Sequence, residues 1–219
     1  MIVVGITESG HRSILSVDLG NSETESSWSD VFKSLKSRGL SGVKYVVSDD
    51  HTGLVNALDR YFQGAAWQRC QVQFVRNFIM KLSRRDIKHY IPMLKDIFSA
   101  SDKEEALRRK QQLVLKLDVK YPDVATWIDE NIESCFSVFH LPAEHRRKMK
   151  STNMLERFNE ELQRRSRVIR IFPNNASCLR LISALSQETS ENWETGRRYL
   201  TFDKELEIII PKKQKKDAA

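Results

Sequence analysis

Apolar positions along the chain change their spacing twice. Ile2 to Thr7 and Ser13 to Leu19 are short β-branched runs separated by Glu8-Ser-Gly-His-Arg12, a pattern that predicts a hairpin through a glycine-containing turn. Between Glu23 and Arg38, Trp28, Val31, Phe32 and Leu35 recur at helical spacing, and Gly39 stands where the helix would stop. Gly42 to Ser48 reads as the next strand. It runs into the acidic turn Asp49-Asp-His-Thr-Gly53 and then a helix marked by Leu54, Val55, Leu58, Tyr61 and Phe62, which is an α/β unit. Ala66 to Phe74 is consistent with a further strand, with Val75 to Leu82 turning helical behind it.

From residue 83 to 145 the β-rich runs stop. Ile91, Leu94, Ile97 and Phe98, then Leu107, Leu113, Val114 and Leu117, then Val124, Trp127, Ile128 and Ile132 all repeat at helical intervals. The expected organisation is an α/β domain in two parts, residues 1–82 and 146–200, interrupted by an all-helical insertion at 83–145, with a basic tail at 201–219. In the second part, Leu155, Phe158 and Leu162 form one apolar helical stripe, Phe172-Pro-Asn-Asn175 breaks the chain, and Leu179, Ile182, Leu185 and Trp193 mark a last long helix.

Composition narrows the class. With 219 residues, 40% of them hydrophobic, the chain can build a real core. No apolar run approaches the length of a membrane span. Cys70, Cys135 and Cys178 are widely spaced and form neither a C-x-x-C zinc pair nor a closed disulfide set, which fits a reducing cytoplasm. Lysine and arginine outnumber aspartate and glutamate by 36 to 29, a formal charge of +7, as suits a partner that carries phosphates.

Two acids stand out by position. Asp49 follows a strand and precedes a helix, where open α/β sheets place ligand-binding groups. Glu156 sits near the start of a helix whose sequence runs on into Arg157, Arg164, Arg165, Arg167 and Arg170, an arginine density that suits phosphate contacts. Each acid also has an ordinary use. Asn153 and Glu156 have the spacing of a helix cap and its capping-box partner, and Asp49, Asp50 or Thr52 could cap the helix containing Leu54. The arginines, likewise, could pair with Glu160, Glu161 and other nearby acids. Taken together, a strand-end aspartate and a helix-borne glutamate on a basic fold point to oxygen ligands holding Mg²⁺ against a scissile phosphate.

Three blocks give the chain a recognisable likeness. Val47-Ser-Asp-Asp-His-Thr-Gly-Leu54, Trp67-Gln-Arg-Cys-Gln-Val-Gln-Phe-Val-Arg-Asn77, and Ser151-Thr-Asn-Met-Leu-Glu-Arg-Phe-Asn-Glu-Glu-Leu-Gln-Arg-Arg-Ser-Arg-Val168 with Phe172-Pro173 resemble, in order, the Mutator-type bacterial insertion-sequence transposases. The likeness extends over nearly the whole chain. It implies an RNase H-like core, a mixed sheet flanked by helices, and a catalytic Asp-Asp-Glu triad that holds Mg²⁺ or Mn²⁺. By that resemblance Asp49 corresponds to the second acid, with Asp50 as the alternative, and Glu156 to the third.

Two departures from the family's pattern shape the expectation. The triad's first aspartate belongs to a strand preceding the opening hairpin, and nothing in the chain matches it, since Asp18 comes too late in the fold. Gln73 stands where the family usually shows histidine after Cys70, so Cys70, Gln73 and Asn77 are expected to support the site rather than bind metal. The expected identity is an N-terminally truncated transposase, catalytically incomplete by itself, with Met1 as an internal or secondary start. DNA, both element ends and target, is the expected partner, with Arg157, Arg164, Arg165 and Arg167 on its phosphates. Self-association or association with intact transposase, in the cytoplasm at the nucleoid, completes the expectation. The alternative is a DNA-binding or oligomerising protein without catalysis that would inhibit an intact transposase.

Overall fold

The structure, a computed structural model, describes residues 1–18, 23–167 and 172–202. Arg170 and the basic run Lys212 to Lys216 lie outside the described residues. The fold is α/β. Two compact units make up the described residues, the first formed by 1–18, 23–43, 50–63, 153–167 and 172–202 and the second by 44–49 and 64–152. Among the described residues the strands form two two-stranded sheets, one antiparallel and one parallel.

In the first unit, β1 (Ile2–Ile6) and β2 (Arg12–Val17) pair antiparallel from Ile2 opposite Val17 to Ile6 opposite Arg12. Gly10 closes their turn at φ +84°, a conformation that disfavours a side chain, and its carbonyl accepts the N–H groups of Tyr199 and Leu200 at 2.7 and 3.1 Å. Helix α1 (Glu25–Ser37) is capped by Thr24, whose hydroxyl oxygen accepts the Ser27 N–H at 3.2 Å. It buries Trp28, Val31, Phe32 and Leu35, the stripe expected from spacing, and Phe32 meets Tyr61 and Phe62 at the end of α2 (Thr52–Tyr61). Burying such side chains stabilises by about 1.5–3 kcal/mol each. Helix α9 (Asn175–Thr195) lies against β2, where the Ser190 hydroxyl accepts the Ile14 N–H at 3.0 Å.

In the second unit, β3 (Tyr45–Ser48) pairs parallel with β4 (Ala66–Arg69), Tyr45 opposite Ala66 and Ser48 opposite Arg69. The chain between them carries α2, as a parallel crossover requires. The strand of β4 is shorter than the β-rich run to Phe74 suggested. Helix α3 (Gln71–Met80) starts two residues after Arg69, because Phe74 and Phe78 at helical spacing are buried completely in the aromatic and aliphatic core. That core is supplied by α4 (Arg84–Phe98), α5 (Lys103–Asp118) and α6 (Pro122–Asn131), with Leu94, Ile97, Leu113, Leu117 and Ile128 fully buried. Phe74 stacks on Trp127 at a centroid distance of 4.7 Å. Two 3₁₀ turns (Ile132–Cys135 and Ser137–His140) and α7 (Ala143–Met149) complete it.

Lys110, on α5, is nearly buried, and its ammonium reaches Asp129 at 2.8 Å and Glu133 at 3.2 Å. Burial opposes its charge, but those two carboxylates outweigh burial and raise its pKa.

Candidate metal centre and nucleic-acid interface

Asp49 stands one residue beyond β3, and the strand end that presents it is tightly specified. Ser48 is buried, its carbonyl accepts the Cys70 N–H at 2.7 Å, and its hydroxyl oxygen accepts the Trp67 indole N–H at 2.8 Å. The same hydroxyl donates to the Asp49 carbonyl at 2.7 Å. Asp49 itself is exposed, as is Asp50. Neither acid occupies the cap position of α2. That place belongs to His51, with no side-chain cap bond, and Thr52 is already helical. The capping role open to Asp49 from its sequence position is therefore not the one adopted.

Glu156 is half-buried in the first turn of α8 (Asn153–Ser166). The helix begins at Asn153 itself, so Asn153 lies inside the first turn and not in front of it. Phe158 and Leu162 bury the apolar stripe of α8, and Phe158 meets Trp193 of α9 edge to face at 5.8 Å. Asp49 belongs to the second unit and Glu156 to the first.

The residues expected to support the site have unequal surroundings. Cys70 is fully buried between β4 and α3, and its Sγ accepts the N–H of Thr152 at 3.4 Å and the Thr152 hydroxyl at 3.3 Å. Gln73 and Asn77, one and two turns along α3, are half-buried. No group of three or more His, Cys, Asp or Glu side chains is gathered for a metal among the described residues. For a divalent cation such as Mg²⁺ the hard oxygen donor of exposed Asp49 is suited, whereas Cys70 is occupied by Thr152.

Arg157, Arg164, Arg165 and Arg167 are all exposed. Glu161 stands among them on the same helix. Arg164 donates to both of its carboxylate oxygens at 2.8 and 2.7 Å, and Arg165 donates to it at 2.7 Å and to Glu188 at 2.9 Å. The hydrogen bonds from Arg164 and then Arg165 pull the Glu161 pKa down to about 2. Ion pairing within the chain thus engages Arg164 and Arg165. Arg157 acts electrostatically on Tyr199, whose pKa is raised by burial against the opposing effects of Arg12 and Arg157.

Pattern reading missed two features of these surroundings. The Arg12 guanidinium lies between the rings of Trp193 at 4.4 Å and Tyr199 at 4.9 Å, a stack that joins β2 to the end of α9. Thr152 escapes notice in the sequence because a threonine before a helix signals a cap, not a partner for a distant thiol. The first unit also carries an open polar groove of about 440 Å³ between β2, α1 and α9, lined by Ser34, Arg38, Ser183, Ser186, Gln187 and Ser190 among others. None of the site residues inferred from sequence lines it among the described residues.

Known proteins are similar to this chain in sequence. A family profile described as "Transposase, Mutator family" matches residues 1–196. The transposase for insertion sequence element ISRM5 of Rhizobium meliloti is 46% identical over 203 residues, which cover 93% of this chain and 51% of that protein. The transposase for IS406 of Burkholderia multivorans is 39% identical over 204 residues, 93% of this chain and 53% of the relative. The transposase for IS256 in transposon Tn4001 of Staphylococcus aureus is 37% identical over 206 residues, with the same coverages of 93% and 53%. The chain spans about half the length of the curated relatives it matches.

Proposed function

This chain belongs to the Mutator family of transposases, and from that premise we propose that it forms part of the catalytic core of an insertion-sequence transposase acting on DNA by phosphoryl transfer. The core is RNase H-like, with the helical segment 83–145 inserted into it. Asp49 and Glu156 are two of the acids that hold Mg²⁺ or Mn²⁺, and Asp50 is the alternative to Asp49. When bound, the cation activates an oxygen nucleophile and stabilises the leaving oxygen.

The chain's own residues divide the remaining work. Asp49 offers an exposed carboxylate from a strand end whose backbone is pinned on both sides of Ser48. Arg157, Arg164, Arg165 and Arg167 hold DNA phosphates, and the +7 charge of the chain assists the encounter. Element ends and target DNA are the substrates, and the protein works as a homo-oligomer or with an intact transposase, at the nucleoid. Because a triad needs a third acid that the chain does not match, these 219 residues alone are catalytically incomplete.

The observation that supports this reading best is Asp49, exposed at the end of β3 and not used as a helix cap. The test is cleavage of labelled element-end DNA with Mg²⁺ or Mn²⁺ by this chain and by a polypeptide of the relatives' length that includes it. Cleavage by the longer protein, abolished by Asp49→Ala and by Glu156→Ala, with little from the 219-residue chain, is the expected result. Undiminished cleavage in Asp49→Ala and in Asp50→Ala would overturn the assignment, and robust cleavage by the short chain would overturn its incompleteness.

A further inference from the structure

We infer that the outer face of α4 is a further surface for DNA phosphates, formed by Arg84, Arg85, Lys88 and Lys95 and additional to the arginines of α8. It places a contact on the helical segment, where the function proposed above puts none, and it rests on that reading only for the identity of the polyanion as DNA.

The surface lies wholly within the second unit. Helix α4 buries Tyr90, Leu94 and Ile97 and leaves Arg84, Arg85, Lys88 and Lys95 exposed. At 3.6 residues per turn those four cations fall within about 100° of arc on the side away from the buried residues, and at 1.5 Å per residue they extend along about 16 Å of helix. A row of that form suits a regular linear polyanion better than a compact one. Phosphates recur every ~3.4 Å of axis along one DNA strand, so several come within its reach. Arginine takes a phosphate with two parallel N–H donors, and lysine takes it as a point charge.

What makes the face basic is where the acids of the helix have gone. Asp86 is bridged by Lys120 at 2.7 Å and Asp96 by Arg109 of α5 at 2.8 Å, so both carboxylates are already engaged by cations from beyond α4. The side chains of Arg84, Arg85, Lys88 and Lys95, by contrast, have no ion-pair or hydrogen-bond partner among the described residues. On α8 the situation is reversed, since Arg164 and Arg165 are tied to Glu161 and Glu188. The α4 row also works against its own helix. Arg84 and Lys88 are like charges at i, i+4, and Arg84 and Arg85 put positive charge into the first turn, where the helix dipole disfavours it. An ordinary solvated face intersperses the two signs, and departures from such local rules collect at functional surfaces. A bound polyanion relieves both penalties at once.

The experiment uses the 219-residue chain and a fluorescently labelled DNA duplex of mixed sequence, with anisotropy read over a salt series. Arg84→Ala with Lys88→Ala and Lys95→Ala is compared with a charge-matched control on α5, Lys103→Ala with Arg108→Ala and Lys116→Ala, whose side chains are also exposed. The α4 variant should lose about tenfold in affinity at moderate salt, with a log–log salt slope shallower by about two to three units, because each phosphate contact contributes about 0.9. The control carries the same net charge and should lose severalfold less. Alanine is a good helix former and the substituted positions face away from the core, so the urea midpoint of the α4 variant should hold or rise. Lysine acetylation gives a readout on the unaltered chain: bound duplex should slow modification of Lys88 and Lys95 severalfold and leave Lys103 and Lys116 at their free rates.

Equal losses in the α4 variant and the control, or equal protection of all four lysines, would mean that net charge alone acts and would overturn the surface. So would binding that charge reversal of Arg164 and Arg165 weakens and the α4 variant does not, an outcome that leaves the proposed function standing. Absence of duplex binding by the unaltered chain even at low salt would instead sink the reading of this chain as a DNA-binding part of a transposase, and the α4 surface with it.

Discussion

Gln68 Oε1 accepts the N–H of Val138 at 2.7 Å, a buried hydrogen bond between β4 and the second 3₁₀ turn across 70 positions of chain. The other end of the same amide donates to the carbonyls of Arg69 and Cys135, each at 2.8 Å, so a completely buried polar side chain has partners for both its donor and its acceptor atoms. Its neighbour Gln71 adds a bond to the Cys135 carbonyl at 3.2 Å. Together they fix the short parallel sheet, and hence the strand end that presents Asp49, to the helical core.

Replacing Gln68 by leucine keeps the volume and removes these bonds. The Val138 N–H would then be buried without its acceptor, which costs about 1–3 kcal/mol, while the Cys135 carbonyl keeps Gln71. Urea denaturation should show a lower midpoint for Gln68→Leu. Unchanged stability would mean that water or a rearranged turn supplies the missing acceptor.

Acid should weaken the second unit partly through Asp86. Hydrogen bonds from Lys120 at 2.7 Å, Ser83 at 2.6 Å and Tyr121 at 2.6 Å hold its carboxyl well below the usual carboxylate range. A depressed folded-state pKa gives a contribution that is complete above the unfolded value, roughly 4, and is lost as pH falls below it. Asp86→Asn should therefore be less stable than the unaltered chain near neutral pH, with the gap closing below about pH 4. Urea midpoints measured across that interval check the sign; a gap that stays constant with pH would show that the ionised carboxylate is not what matters.

Glu161 competes with any phosphate for Arg164 and Arg165. These are exposed pairs, and exposed pairs contribute little stability, so they can be exchanged for a stronger polyanion. Glu161→Gln should leave the fold intact, raise DNA affinity and steepen its decrease with salt by up to about one unit of logarithmic slope for each further phosphate neutralised. Fluorescence anisotropy over a salt series reads both effects. Should charge reversal of Arg164 and Arg165 also leave affinity and salt slope untouched, their role would be confined to pairing with Glu161 and Glu188.

Local order was written into the sequence wherever one element decides its own fate. The stripe Trp28, Val31, Phe32 and Leu35, closed by Gly39, specifies α1 because helical spacing and a positive-φ glycine act over a single turn, and the structure gives Glu25–Ser37 with Gly39 at φ +100°. The strand before Asp49 and the stripe of α8 were legible for the same reason, and the ordered motifs around Asp49, Cys70 and Glu156 carried the family. Tertiary structure alone decided the rest. The β-rich run after Ala66 stops at Arg69 because burying Phe74 and Phe78 in a helical core outweighs strand propensity. Which acid holds Arg164 and Arg165 depended on side-chain reach across α8 and on Glu188 of α9. The bond from Thr152 to Cys70 joins residues 82 positions apart, and no periodicity records a contact that exists only once the chain has folded back on itself.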